Sequence, residues 1–381
     1  MLKKCVVWLA LAAVLMGAAP LPAVAQTIPD TKEFSIAAKG AVVIDAGNGR
    51  VYFAQNANGR LPMASTTKIM TALLALEQPA LDEPFVVDPA AIRVEGTSMG
   101  LKEGDTVTLR ALACGMLLPS GNDAANAAAV RISGSKDAFA DLMNEKAREL
   151  GLEDTHYVTP SGLDADGHYS SAYDLAILAA HALENPDFRE ICCKESAKVE
   201  FGTPPYGRWL KNHNKLLNLY PYAIGVKTGY TDDAKRCLVT AAQKDGVTLI
   251  VVTLAAQDDF NVHKKLYERY FGELTRQDLA PVLPDLKIPV AGGQQTTAEL
   301  EPVRPPAVAL RAGERGQVQF QVEAPKFAYA PVKRGDALGE IRGYIDGDLV
   351  YQSPLAAAKD VPAAQRRTNG WSRWIGGLFG R

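Results

Sequence analysis

Three short fragments, far apart in the chain, constrain it more than anything else. They are Ser65-Thr66-Thr67-Lys68, Ser120-Gly121-Asn122 and Lys227-Thr228-Gly229. A serine and a lysine three residues apart share one helix face, a turn from each other. That puts a hydroxyl beside an amine able to take its proton. The flanks place the first fragment at the start of a helix, the second in a loop between helices and the third on a strand.

Two local rivals fall on context. Ser133-Gly134-Ser135-Lys136 repeats the Ser-X-X-Lys spacing. Ser65, however, opens an apolar run, Ile69 to Leu76, that reads as a buried helix. Ser133 sits in a Ser-Gly-Ser turn, is expected to cap the helix starting near Lys136, and follows the Ser-Gly-Asn fragment instead of preceding it. Gly96-Thr97-Ser98-Met99-Gly100 matches the nucleophile elbow, which needs a helix directly after it; the turn Leu101-Lys102-Glu103-Gly104-Asp105 follows instead.

The flanks also outline the architecture. Residues 38–54 read as a hairpin turning at Gly47-Asn48-Gly49. Helices are expected over 108–118, 123–132, 136–150, 172–183 and 260–271. Strands are expected over 224–227, 237–242 and 248–255, the last two turned at Asp245-Gly246. After about residue 276 prolines cluster and short alternating runs follow, such as Val318, Phe320 and Val322 with polar residues between. This predicts a small all-β domain over 280–355 with no catalytic constellation. A linker, 356–369, leads to residues 370–381, where Trp371, Trp374, Ile375, Leu378 and Phe379 form one apolar helical face. Three glycines make that segment a poor helix in water. A bilayer interface, which tryptophan favours, would order it.

The first 25 residues read as a signal peptide: Lys3 and Lys4, an apolar stretch from Val6 to Met16, and the small-X-small site Ala23-Val24-Ala25. The stretch is too short to span a bilayer. The expected mature chain thus runs from Gln26, with a catalytic domain over 26–276. The formal charge of −2 across 381 residues gives no basic character that would suggest nucleic acid. Export permits disulfides, yet Cys114, Cys192, Cys193 and Cys237 have no metal-ligand spacing, so no metal is expected. Buried free thiols are the expectation, with a Cys114–Cys237 bridge left open.

An acyl-transferring serine needs a base, an oxyanion site and a proton donor for the leaving nitrogen. Ser65, at a helix N-terminus, supplies the nucleophile, and its own N–H can face the oxyanion. Lys68 is the expected base. A free lysine titrates near ~10.4, so burial and a second cation, Lys227, must keep it neutral. Ser120 is placed to relay a proton between Lys68 or Lys227 and the departing amine. Asn122 offers an amide for a substrate carbonyl. Lys227 and Thr228 suit a free carboxylate, Gly229 lets substrate approach the strand, and the Tyr230 N–H is a second oxyanion donor. A strand edge here would pair with a peptide substrate.

With these residues the chain resembles the low-molecular-mass penicillin-binding proteins that act as serine-type D-alanyl-D-alanine carboxypeptidases. The resemblance runs over about residues 36–275 and also covers Gly162-Leu163-Asp164 and Ser170-Ser171-Ala172-Tyr173-Asp174-Leu175. It implies an α+β fold: a penicillin-binding, serine β-lactamase-like transpeptidase domain with an antiparallel sheet flanked by helices, then the small all-β domain and a C-terminal amphipathic helix. It implies a peptidoglycan stem peptide ending in D-Ala-D-Ala as substrate, β-lactams as covalent inhibitors, no cofactor, and attachment to the outer face of the cytoplasmic membrane through that helix. It carries the roles above onto Ser65, Lys68, Ser120, Asn122, Lys227 and Thr228, and suggests His213 near the substrate carboxylate. A serine β-lactamase shares the fragments, but the Glu-X-X-Leu-Asn of its class A deacylation site is missing between the second and third fragments. A D,D-endopeptidase or transpeptidase differs only in pocket and acceptor. A non-enzymatic wall-binding protein would not require this proton-transfer set.

Overall fold

The computed structural model describes residues 28–364. The expected signal peptide and terminal amphipathic helix lie outside them. Strands β1 (Gly40–Asp45) and β2 (Val51–Gln55) form the expected hairpin, and a 3₁₀ turn, Ala64–Thr67, runs straight into α1 (Lys68–Leu76). Two short strands follow, β3 (Phe85–Val86) and β4 (Thr106–Val107), then α2 (Leu109–Leu117), α3 (Asn122–Ser133) and α4 (Lys136–Glu149). Ser133 ends α3 instead of capping α4. Gly134 takes the left-handed conformation, and the cap of α4 is Ser135, whose side chain accepts from the N–H of Ala138.

Helices α5 (Ala172–Ala182) and α6 (Pro186–Cys192) lead to a hairpin that the sequence reading missed, β5 (Ser196–Gly202) and β6 (Pro205–Lys211). After the single-turn α7 (Leu216–Leu219) come β7 (Ala223–Thr231), β8 (Lys235–Lys244), β9 (Val247–Ala256) and α8 (Asp259–Glu273). The main sheet has the order β2-β1-β9-β8-β7. Along β1, Val42 and Ile44 face the core shared with α1 to α6, while Ala41 and Val43 face the core under α8. Helices thus cover both faces, which is why β1 is buried at every position and reads as a continuous apolar run. α1 is buried at every position. β7 is left at the sheet edge, against the 3₁₀ turn.

β10 (Leu274–Asp278) leaves the catalytic unit and pairs with β13 (Ala307–Arg311). The remaining strands, β11 (Lys287–Ala291), β12 (Thr297–Pro302), β14 (Gln319–Glu323), β15 (Ala328–Tyr329), β16 (Ala337–Ile345) and β17 (Asp348–Ala357), form a six-stranded sheet ordered β14-β16-β17-β12-β11-β15. The unit continues past residue 355, where the sequence reading ended it: β17 reaches Ala357, and bridges join Val332 to Val361 and Gly293 to Ala363. The proline at 354 does not stop β17. Its backbone O accepts from the N–H of Val303, and a proline can occupy a strand position that needs no donor.

Cys114, Cys192, Cys193 and Cys237 are free thiols, so Cys114 and Cys237 are unbridged; Cys193 is exposed, unlike the other three. Among the described residues no group of His, Cys, Asp or Glu is arranged to hold a metal, and no helix is long and apolar enough to cross a membrane.

Candidate active site

The three fragments converge where α1, α3 and β7 meet. Ser65 lies in the 3₁₀ turn, entered through Ala64 at φ +50°. One turn on, Lys68 is fully buried. Its Nζ sits 2.8 Å from Ser65 Oγ, 2.7 Å from Asn122 Oδ1 and 2.6 Å from the carbonyl oxygen of Ser161. Two of these partners can only accept. A neutral amine has two N–H groups and one lone pair, so with both N–H groups on Asn122 and Ser161 the lone pair is left for the Ser65 hydroxyl. Burial is the main force pushing Lys68 well below the usual lysine range. The nearby Lys227 charge adds to it, and Asp123 opposes it.

Lys227, on β7, is also buried, and burial lowers it to about 7. Its Nζ donates to Ser120 Oγ at 3.0 Å and to the carbonyl of Thr228 at 2.6 Å. Ser120 has φ +63°, a left-handed backbone that L-residues adopt only when surroundings impose it. The Thr97 hydroxyl helps, donating to the Ser120 carbonyl at 2.5 Å. Ser120 therefore stands on the Lys227 side of the cleft.

Asn122 departs from expectation. It is 3% exposed, its Nδ2 donates to the Glu95 carbonyl at 2.8 Å and its Oδ1 is on Lys68. The amide orients the lysine and keeps one Nδ2 hydrogen free for the expected substrate carbonyl. Gly229 differs too. A Cβ there would lie 3.0 Å from Ser65 N and 3.1 Å from Ala64 Cβ, so the missing side chain admits the nucleophile turn. Thr228 is half-buried, and Tyr230 is 61% exposed along the open β7 edge. His213 is at the rim. Its N–H donates to the carbonyl of Leu118, and burial and then the Lys227 charge lower its pKa.

Several supports carried no local signal. The loop 95–101, which contains the rejected elbow, wraps Asp123: Ser98 Oγ donates to it at 2.5 Å, and the N–H groups of Met99, Gly100 and Leu101 reach it at 2.9, 3.1 and 3.0 Å. Gly162 presses on the nucleophile turn; with φ +81°, a Cβ would meet the carbonyl of Ala64 at 2.0 Å. The Gly162-Leu163-Asp164 fragment of the resemblance was the one available pointer to this loop.

Residues 25–258 match the family described as D-alanyl-D-alanine carboxypeptidase, the S11 peptidases, and 281–363 match the C-terminal domain of penicillin-binding protein 5. The chain is 32% identical to the D-alanyl-D-alanine carboxypeptidase DacF of Bacillus subtilis, over 95% of this chain and 96% of the relative. It resembles penicillin-binding protein 5 of Haemophilus influenzae (TM-score 0.69, 25% identity, 87% of this chain, 99% of the other). It also resembles a peptidoglycan synthesis regulatory factor, PBP3, of Streptococcus pneumoniae (TM-score 0.74, 25% identity, 86% of this chain, 100% of the other). The chain belongs to the S11 family of D-alanyl-D-alanine carboxypeptidases and carries the C-terminal domain of penicillin-binding protein 5.

Proposed function

We propose that Ser65 attacks the carbonyl of the penultimate D-alanine of a peptidoglycan stem peptide ending in D-Ala-D-Ala. Lys68 takes the hydroxyl proton as the Oγ–C bond forms. The tetrahedral oxyanion is held by the N–H groups of Ser65 and Tyr230. As the C–N bond breaks, Ser120, hydrogen-bonded to Lys227, relays to the amine of the departing D-alanine the proton that Lys68 took, and Lys68 is neutral again. Water then attacks the ester carbonyl as Lys68 accepts its proton; Lys68 returns that proton to Ser65 Oγ as the Oγ–C bond breaks, releasing Ser65 and the shortened peptide. The terminal carboxylate docks on Thr228 and the Lys227 charge, with His213 beside it. β-Lactams acylate the same serine. The observation that carries this reading is the three-partner setting of Lys68 Nζ, which leaves a lone pair for the Ser65 hydroxyl.

The test incubates the protein with diacetyl-Lys-D-Ala-D-Ala and follows mass, with fluorescent penicillin as a parallel label. Loss of one alanine and labelling, both abolished in Ser65→Ala, are expected. Labelling that persists in Ser65→Ala sinks the assignment, and rapid penicillin hydrolysis without alanine release points to a lactamase.

The same reading places the enzyme outside the cytoplasmic membrane. It takes 1–25 as a cleaved signal, 26–276 as the catalytic domain, and the β domain as running from 280 to about 363, with the linker starting only after it. Residues 370–381 act as a peripheral anchor on the outer face of the membrane. Deleting 371–381 is expected to release the protein from membrane pellets; unchanged pelleting refutes the anchor.

A further inference from the structure

His168 lies outside the three fragments, yet it is 7% exposed and joins the two segments that hold the nucleophile and its base. Its Nδ1 is 2.9 Å from the N–H of Val158. A backbone N–H can only donate, so Nδ1 carries no proton. The ring is therefore the Nε2–H tautomer, and Nε2 donates to Thr67 Oγ1 at 2.8 Å. The Thr67 hydroxyl, its lone pair occupied, passes its own hydrogen to the carbonyl of Ala64 at 2.8 Å. The chain of donors has one direction: Val158 N–H to His168, His168 to Thr67, Thr67 to Ala64. It ends on the residue before Ser65.

The other end of the clasp reaches the base. Residues 158–163 form the loop whose Ser161 carbonyl takes one N–H of Lys68 at 2.6 Å. The same loop is tied to α1 by the Thr71 hydroxyl, which donates to the carbonyl of Pro160 at 2.7 Å, and is pressed against Ala64 through Gly162. With these contacts, the imidazole holds the loop and the nucleophile turn in mutual register.

We propose that His168 is a positioning residue for acyl transfer: as a neutral Nε2–H imidazole it locks the loop carrying the Ser161 carbonyl onto the turn carrying Ser65, fixing the distance between Ser65 Oγ and Lys68 Nζ. The proposal rests on the reading of Ser65 as nucleophile and Lys68 as base. The ring stays neutral across ordinary pH, because burial and then His156 lower its pKa to about 4, against a smaller opposing effect of Asp164. Tyr157 meets it edge-on, with ring centroids 6.0 Å apart.

The two ring nitrogens do different jobs, so substitutions can separate them. His168→Ala removes both bonds. His168→Gln keeps an N–H near the Nε2 position, toward Thr67. His168→Asn keeps only an acceptor near Nδ1. Thr67→Val deletes the same clasp from the other side at nearly constant volume. The measurement is the second-order rate of acylation by fluorescent penicillin between pH 5 and 9, with thermal unfolding of each variant alongside. His168→Ala is expected to lose roughly 10- to 100-fold in acylation, the range a misplacement of about an ångström produces. Its acid limb should move to higher pH, because Lys68, less well enclosed, regains basicity. Thr67→Val should show the same loss and the same limb shift. His168→Gln should recover more activity than His168→Asn. A folded His168→Ala with the parental rate and pH profile overturns the proposal. If that variant does not fold, parental kinetics in Thr67→Val overturn it equally, and so does equal recovery by Gln and Asn. Acylation that survives in Ser65→Ala would instead remove the underlying reading of the site, leaving the two failures distinguishable.

Discussion

The catalytic unit and the β domain are built on opposite principles. The interior of the first holds Lys68, Lys227, Ser120, Asn122, Asp123, Asn126, Ser161, His168, Asp174 and His263, all buried. In the second, Ser353 is the one buried polar side chain among the described residues after 276. Its core is mainly aliphatic, with Tyr351 the one buried aromatic among those described residues, and is drawn from strands that alternate inward and outward, as β11 does. A buried polar group destabilises a fold unless every donor and acceptor is matched. The catalytic unit accepts that cost where chemistry needs a desolvated amine. The β domain has no such need and folds by apolar packing alone. Polar burial around Lys68 and Lys227 thus coincides with the proposed reaction site, while His263 and Arg50 show that the catalytic unit also buries polar groups for structure alone.

The largest test of that contrast is to remove one buried charge. Lys227→Met keeps the volume and deletes the cation. Lys227 is the second cause, after burial, of the depressed Lys68, so its loss should raise the Lys68 pKa. Less of the base is then neutral at pH 7, and the acid limb of the acylation profile moves to higher pH. The Ser120 hydroxyl also loses its partner at 3.0 Å. Together these should lower acylation by roughly 10²-fold or more. A fall in peptide affinity with unaltered acylation would show that the two lysines are not one electrostatic unit.

What the sequence made legible follows the same divide. Elements whose signal is local were readable: the hairpin at residues 40–55, the buried α1, and the turn at Asp245-Gly246. The side chains proposed to react were readable as a set because their spacing is itself chemical, and the structure brings Ser65 to Lys68 and Ser120 to Lys227. Their supports were not. Asp123 is held by residues 98–101, Lys68 by the carbonyl of Ser161, and Thr67 by His168. None of these pairings leaves a periodic trace in the chain. Asn122 and Gly229 were located from their motifs, yet their partners, Glu95 and the Ser65 turn, became visible only in three dimensions. The hairpin β5–β6 did leave a trace in β5, where Ala197, Val199 and Phe201 alternate with Ser196, Lys198 and Glu200, but β6 lacks that alternation.

Acid offers a second, smaller way to separate the two regions. All the histidines of the chain precede residue 276. His168 is lowered to about 4 and His263 to about 3, both mainly by burial. His263 is held between Thr240 Oγ1 at 2.7 Å and Thr253 Oγ1 at 2.9 Å. Each is neutral in the folded protein but takes a proton near pH 6.5 when unfolded. Their contribution is complete above pH 6.5 and is lost as pH falls toward 4 and 3, at about 1.4 kcal/mol per pH unit for each. Asp45 acts in the opposite sense. Burial raises it to about 6, so its folded form takes up a proton first and offsets part of the loss between pH 6 and 4. In urea unfolding, His263→Gln should be less stable at pH 7 and should flatten the decline between pH 6.5 and 5 by about one proton. Parallel slopes in parent and variant would mean that His263 is not held neutral.

The smallest catalytic effect should come from the seam between the two regions. Arg50, on the catalytic side, makes a two-pronged ion pair with Glu314 at 2.9 and 3.0 Å, with side chains 7% and 15% exposed. Tyr52 OH donates to the carbonyl of Ala309 nearby, and β10 pairs with β13 alongside. Arg50→Met leaves the Glu314 carboxylate with the N–H of Arg311 at 2.7 Å and the Arg311 guanidinium at 4.0 Å. Removing one partner of a mostly buried pair leaves a desolvated charge, so a stability loss of about 1–3 kcal/mol is expected. Alanine release should stay within about twofold of the parent, because nothing at the seam touches Lys68 or Ser65 and distant sites behave independently. The result to look for in thermal unfolding is the splitting of one transition into two, the β domain melting apart from the catalytic unit. A variant that unfolds in a single step but loses acylation would mean that the polar interior of the catalytic unit depends on the apolar domain for its register, and the division between the two regions would no longer hold.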